Sequence, residues 1–154
     1  MSKIFSTKAI QAGLIAGTLD ITAACIQTYI KVGKGPDAVL KYLASAAFGK
    51  EAYTSGTIMI FIGLAFHYII ALSYTLLFFW LVQKFPSLLK TKIITAIAYS
   101  IFMWAFMEFA VLPLTKLGHR PIIFTNALIA IGILFICIAL PITYMASRKF
   151  SKIK

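Results

Sequence analysis

Four long apolar runs, each of bilayer-crossing length, leave this 154-residue chain few folds to adopt. They cover residues 9–30, 57–82, 93–114 and 121–146. At about 1.5 Å per residue, the shorter runs of about 22 residues reach roughly 33 Å, enough for a hydrocarbon core of about 30 Å. Hydrophobic residues make up 61% of the chain and charged residues 12%, whereas soluble domains are about half apolar and a quarter charged. The sequence therefore predicts an all-α, four-helix transmembrane bundle forming a single integral membrane domain over 1–154. The first run has no small-x-small cleavage site after it and is expected to remain as the first span.

The formal charge of +11 would point to nucleic acid in a soluble protein. Here the basic residues occupy the connections and tails, where they set membrane topology, so no nucleic-acid partner is expected. Lys3, Lys8, Lys84, Lys90, Lys92, Arg148, Lys149, Lys152 and Lys154 share one side. Lys31, Lys34, Lys41, Lys50, Lys116 and Arg120 are spread over the other. The nine-to-six imbalance places both termini in the cytoplasm.

The first connection contains a short helix. Gly35-Pro36-Asp37 is a helix start, with proline in the first turn and an acid at the positive end of the dipole. Val39, Leu40, Leu43, Ala44, Ala47 and Phe48 follow at helical spacing, and Gly49 can end the helix. The resulting segment, 36–48, is too short to span. It is expected as an amphipathic helix in the interface or a partly re-entrant one, with a surface helix packed over the loop as the alternative. In the spans, Trp80 is an interfacial anchor, Pro113 breaks the third span and Pro141 should bend the fourth.

The candidate site comes from ionisable residues inside the spans. The chain has four acids, and two of them, Asp20 and Glu108, lie in apolar runs; His67 lies in another. An acid at the centre of a spanning helix costs about 2.5–3.5 kcal/mol on insertion scales, so each should face protein or water. Gly13, Gly17, Asp20 and Ala24 form one small-residue stripe on the first span, and Gly63, His67, Ala71 and Tyr74 form another on the second. Small residues let helices approach closely, so both stripes should face the bundle interior, with Gly13, Gly17 and Gly63 as packing positions. Asp20 and His67 are at similar depth, which allows a contact between them. Glu108 lies one to two turns outward, on a face shared with Ile101, Trp104 and Leu112. Two readings of this cluster compete: a proton-responsive or ion-coordinating site, and polar glue that only fixes helix register.

Other chemistry has little support. Cys25 and Cys137 lie in apolar runs without metal-site spacing, and a bis-histidine haem would need a second bilayer histidine, whereas His119 is in a loop. There is no HExxH, no phosphate-cradling glycine loop and no nucleophile–base set. No enzyme activity, catalytic residue, cofactor or metal is expected. The glycine pattern of the first span does not recur in the third, so no transporter-type repeat is visible.

Gly13-Leu14-Ile15-Ala16-Gly17, Gly63-Leu64-Ala65-Phe66-His67, the Phe85-Pro86 turn and Val111-Leu112-Pro113-Leu114 together resemble the YagU-like family of small bacterial inner-membrane proteins. That resemblance implies a bacterial inner-membrane location, a class of unknown biochemical function and a link to acid resistance. The expected partners are the lipid bilayer and either further copies of the chain or other membrane proteins. The leading expectation is a proton-responsive or proton-conducting protein; the alternative is an accessory subunit of a larger membrane complex.

Overall fold

The computed structural model describes residues 7–118 and 121–150; Lys3, His119, Arg120, Lys152 and Lys154 lie outside them. Four helices are long and apolar enough to cross a membrane: Thr7–Val32, Ile58–Lys84, Lys92–Leu114 and Phe124–Arg148. Each end lies within three residues of the expected boundary. The chain is an integral membrane protein built as an all-helical bundle, and no strand occurs among the described residues.

The elements in chain order are α1 (Thr7–Val32), α2 (Pro36–Phe48), α3 (Glu51–Thr54), α4 (Ile58–Lys84), α5 (Lys92–Phe106), α6 (Phe124–Leu134) and α7 (Leu140–Phe150). α1, α4, the third span and the fourth span are the four crossings. The third span continues past α5 through a π-helical turn, Met107–Val111, and a 3-10 turn, Leu112–Leu114. The fourth joins α6 to α7 through a second π-helical turn, Phe135–Ala139. Residues such as Leu14, Leu19, Phe61, Ile69, Ile101 and Ile136 point outward and are exposed. They form the surface of a bundle whose surrounding medium is lipid.

The bundle is packed tightly at one end. Ala9, Ala12 and Ala16 present a flat face on α1 toward α4 and the fourth span, and form one buried core with Phe78, Phe79 and Val82 of α4, Tyr99 and Met103 of α5, and Ile138 and Ile142 of the fourth span. Small residues on one helix make room for large ones on its neighbours, and dispersion contacts between them hold the helices together. Two tyrosines cross-link this region: the Tyr99 hydroxyl donates to the Tyr74 carbonyl at 2.6 Å, and the Tyr74 hydroxyl donates to the Met103 carbonyl at 3.4 Å. Phe78 packs on Tyr99 with ring centroids 4.8 Å apart. This core belongs to the end that carries the N-terminal part of α1, the turn after α4 and the C-terminal part of α7.

At the opposite end, α2 is docked on the bundle. Pro36 opens it and Gly49, at φ 64°, closes it by donating its N–H to the Ser45 carbonyl at 2.8 Å. Its Phe48 stacks with Phe66 of α4 at 6.5 Å, and Ala44 packs with Ala52 and Met59. Gly63 faces this helix: a Cβ there would overlap the Leu40 carbonyl group. The connection after the third span is pinned to the same place, because the Lys116 N–H donates to the Ala46 carbonyl at 2.9 Å. The expected stripe on the second span thus divides between two neighbours. Gly63 meets α2, while Ala71 lies against Gly17 of α1.

Candidate functional site

Above the packed core, the spans separate around a cavity of about 340 Å³. Asp20, His67 and Glu108, contributed by three different spans, all line it. Tyr74 and Trp104 add aromatic walls; Ile70, Leu134 and Ile138 add aliphatic ones, and Gln27 adds an amide. A second cavity of about 260 Å³ shares Gln27, Trp104, Glu108 and Ala130 with the first and extends to Pro121, Ile122, Ile123 and Asn126. The two together form a passage, polar at its mouth and largely apolar around the ionisable groups, from the connection before α6 down to the level of Asp20 and His67. Met103 forms part of its floor, and the core of Phe78, Tyr99 and Ile142 lies beyond, so the passage is one-sided.

His67 is held by the α1–α4 seam. Its Nε2–H donates to the Gly17 carbonyl at 2.8 Å, a buried bond between helices. Gly17 permits this approach: a Cβ at that position would stand 3.1 Å from both Ala71 and the Tyr68 ring. Gly13, one turn earlier, faces Leu72, whose Cδ2 would lie 2.7 Å from an added Cβ. Both glycines thus lie where α1 meets α4. Tyr68 reinforces the seam from the outer side. Its hydroxyl is 2.8 Å from Thr18 Oγ1, whose own proton is given to the Leu14 carbonyl. Tyr68 is therefore the donor.

Because a carbonyl can only accept, Nε2 of His67 carries a proton and Nδ1 remains available. The only sealed side-chain nitrogen or oxygen without a hydrogen bond among the described residues is Thr143 Oγ1. Nδ1 of His67 makes no hydrogen bond and is not sealed, and the residue is 9% exposed, so Nδ1 opens onto the cavity that His67 lines.

The two carboxylates are also free of internal partners. Among the described residues, neither Asp20 nor Glu108 makes a side-chain hydrogen bond or ion pair. Asp20 is within electrostatic reach of His67, but the two make no ion pair; the imidazole bonds Gly17 instead. Asp20 is also within electrostatic reach of Cys137 in the second π-helical turn. No three His, Cys, Asp or Glu side chains among the described residues converge closely enough to hold a metal ion. The cavity thus gathers ionisable groups around a space rather than around one point.

Both π-helical turns border this space, with Met107 and Glu108 from one and Ile138 from the other. Each ends two residues before a proline, Pro113 and Pro141. A proline cannot donate to the carbonyl four residues back, and its ring collides with that carbonyl. Widening the preceding turn relieves the collision: Leu112 N–H reaches back to Met107, and Leu140 N–H to Phe135. The expected break at Pro113 and bend at Pro141 therefore take the form of widened turns, the first of which carries Glu108.

Sequence reasoning does not pick out Gln27 or Asn126. Gln27 continues the stripe of Gly13, Gly17, Asp20 and Ala24 by one more turn, so extending that spacing would find it. Asn126 carries a weaker signal, a single amide near the start of the most apolar run. Its Oδ1 accepts from Lys31 Nζ at 2.9 Å, tying the end of α1 to the start of α6 at the mouth of the passage.

These features define an integral membrane helical bundle with a one-sided, largely apolar cavity that holds three ionisable side chains. Comparison with protein families, with curated proteins and with solved structures finds no match for this chain.

Proposed function

We propose that the chain is a non-enzymatic bacterial inner-membrane protein that binds and releases protons at Asp20, His67 and Glu108. Both termini are cytoplasmic, and the cavity exchanges protons with the compartment on the opposite side, consistent with a role in acid resistance. One observation carries this reading: three ionisable side chains from three spans line one cavity, and among the described residues the carboxylates have no hydrogen-bond or ion-pair partner. Polar glue would be expected to make helix-to-helix bonds through its charged atoms. Here only His67 Nε2 does so.

The geometry suggests how protons would be handled. Gln27 and Asn126 offer hydrogen-bonding groups to water along the passage, and Glu108 stands between them and the deeper pair. Asp20 accepts a proton on its carboxylate, and His67 accepts one on Nδ1 while Nε2–H stays committed to Gly17. Loading His67 places a positive charge directly on the α1–α4 seam, next to Asp20. Protonation is thereby linked to the packing of two spans, and a homo-oligomer could relay it between copies.

The test is proton movement in liposomes containing the purified protein and an internal pH dye. The wild-type chain, whose packed core at Phe78 and Tyr99 must open transiently to let a proton across, is expected to carry protons slowly but still faster than empty liposomes, and Asp20→Asn and His67→Ala are each expected to lower that rate to the empty-liposome level. A folded wild-type protein that gives no flux above empty liposomes overturns the conducting form of the proposal in favour of an accessory subunit.

A further inference from the structure

The cavity is larger and more apolar than proton exchange requires. Its volume of about 340 Å³ falls within the range of small-molecule pockets, about 300–1,000 Å³. Aliphatic and aromatic side chains make up most of its wall, and among the described residues no lysine or arginine contributes to it. Lys31, the cation at the mouth, has its ammonium on Asn126 and lines neither cavity. The space therefore has a negative bias inside a chain of charge +11.

Three further observations narrow what would fit. Asp20 and Glu108 border the same space without partners, yet they and His67 do not converge on a metal-sized point. The ligand must be large enough to fill a gap between groups, which rules against a bare ion as the best occupant. Tyr74 and Trp104 present rings beside the acids, and an aromatic face attracts a weakly hydrated organic cation. His67, nine-tenths buried, leaves Nδ1 unpartnered toward the same space.

From this we infer that the cavity is a binding site for an amphipathic organic cation. The ligand would be a substituted ammonium with one aromatic or branched apolar arm. Its charged head sits against Asp20 or Glu108, its apolar arm lies along Trp104, Ile70 and Leu134, and it arrives through the passage past Gln27 and Asn126. This inference rests on the cavity proposed above to exchange protons, and it names the class of ligand that the same carboxylates would hold.

Isothermal titration calorimetry of the full chain in lipid nanodiscs, with benzyltrimethylammonium as the probe, tests it. The permanent charge of the probe keeps its own protonation out of the measurement. Wild-type protein is expected to bind saturably, and Asp20→Asn to bind about tenfold more weakly or worse, as expected for loss of a charge-assisted contact. Asp37→Asn, an acid on α2 outside the cavity, is expected to bind as wild type. If Asp20→Asn does not fold, Glu108→Gln carries the comparison with the same expected loss. Absence of saturable binding by wild type overturns the inference, as does undiminished binding by both folded cavity variants. Cation binding lost while Asp20-dependent proton flux persists refutes this inference alone. Cation binding retained in a protein without flux upholds it and refutes the proton reading.

Discussion

Replacing Gly63 with alanine is expected to loosen α2 from the bundle and to destabilise the protein by about 2–3 kcal/mol, the upper part of the overpacking range. A Cβ at Gly63 meets the backbone carbonyl of Leu40, not the end of a flexible side chain. No rotamer change can relieve that overlap, so one helix axis has to move. Three contacts would resist the movement: Phe48 on Phe66, Ala44 on Met59, and Lys116 N–H on the Ala46 carbonyl. Denaturant titration in micelles measures the loss, and limited proteolysis across 31–57 reports the release of α2. An alanine variant as stable and as protease-resistant as wild type would show that α2 does not sit against α4 as described.

The second large effect is expected at Phe78. It is 1% exposed, packs on Tyr99 and lies in the core that closes the passage. Truncation of a buried phenylalanine to alanine costs about 3–5 kcal/mol through lost contacts and the cavity left behind. In a bilayer this packing is a main source of helix association, since lipid provides no hydrophobic drive between helices. Phe78→Ala is therefore expected to lower the denaturation midpoint more than any single change at a lipid-facing position such as Ile69. It should also let water through toward the cavity, raising the passive proton leak of liposomes. An unchanged midpoint and leak would mean that the core at this end is not the seal.

Much of this arrangement is legible in the sequence, and the rest is hidden for definite reasons. The crossings follow from the length and composition of the apolar runs, because a bilayer imposes its thickness on any helix that spans it. The inward faces of Gly13, Gly17, Asp20 and His67 follow from helical spacing, and the structure puts Asp20 and His67 on one cavity. Periodicity, however, gives a face and not the neighbour that covers it. Gly63 shares a face with His67 within about a turn, yet it meets α2, because a docked helix and a neighbouring span can cover successive turns of the same stripe. Glu108 is a milder case: regular α-helical spacing puts it with Trp104, and the two do line the same cavities, but spacing alone does not reveal the widened turn from Met107 to Val111 that carries it. Pro113 and Pro141 each signal a disturbance in the helix, but a proline alone does not say whether the chain will kink, break or widen. The one-sidedness of the cavity depends on side-chain volume summed over four spans, which no single stretch of sequence displays.

Whether Asp20 holds an exchangeable proton in the cavity is tested most directly by infrared difference spectroscopy of the reconstituted protein between acid and alkaline pH. A protonated carboxyl group has its own C=O stretching band. A carboxylic-acid band is predicted at acid pH that is present in wild type, is lost in Asp20→Asn and survives in Asp37→Asn. Identical difference spectra for wild type and folded Asp20→Asn would contradict a proton on Asp20.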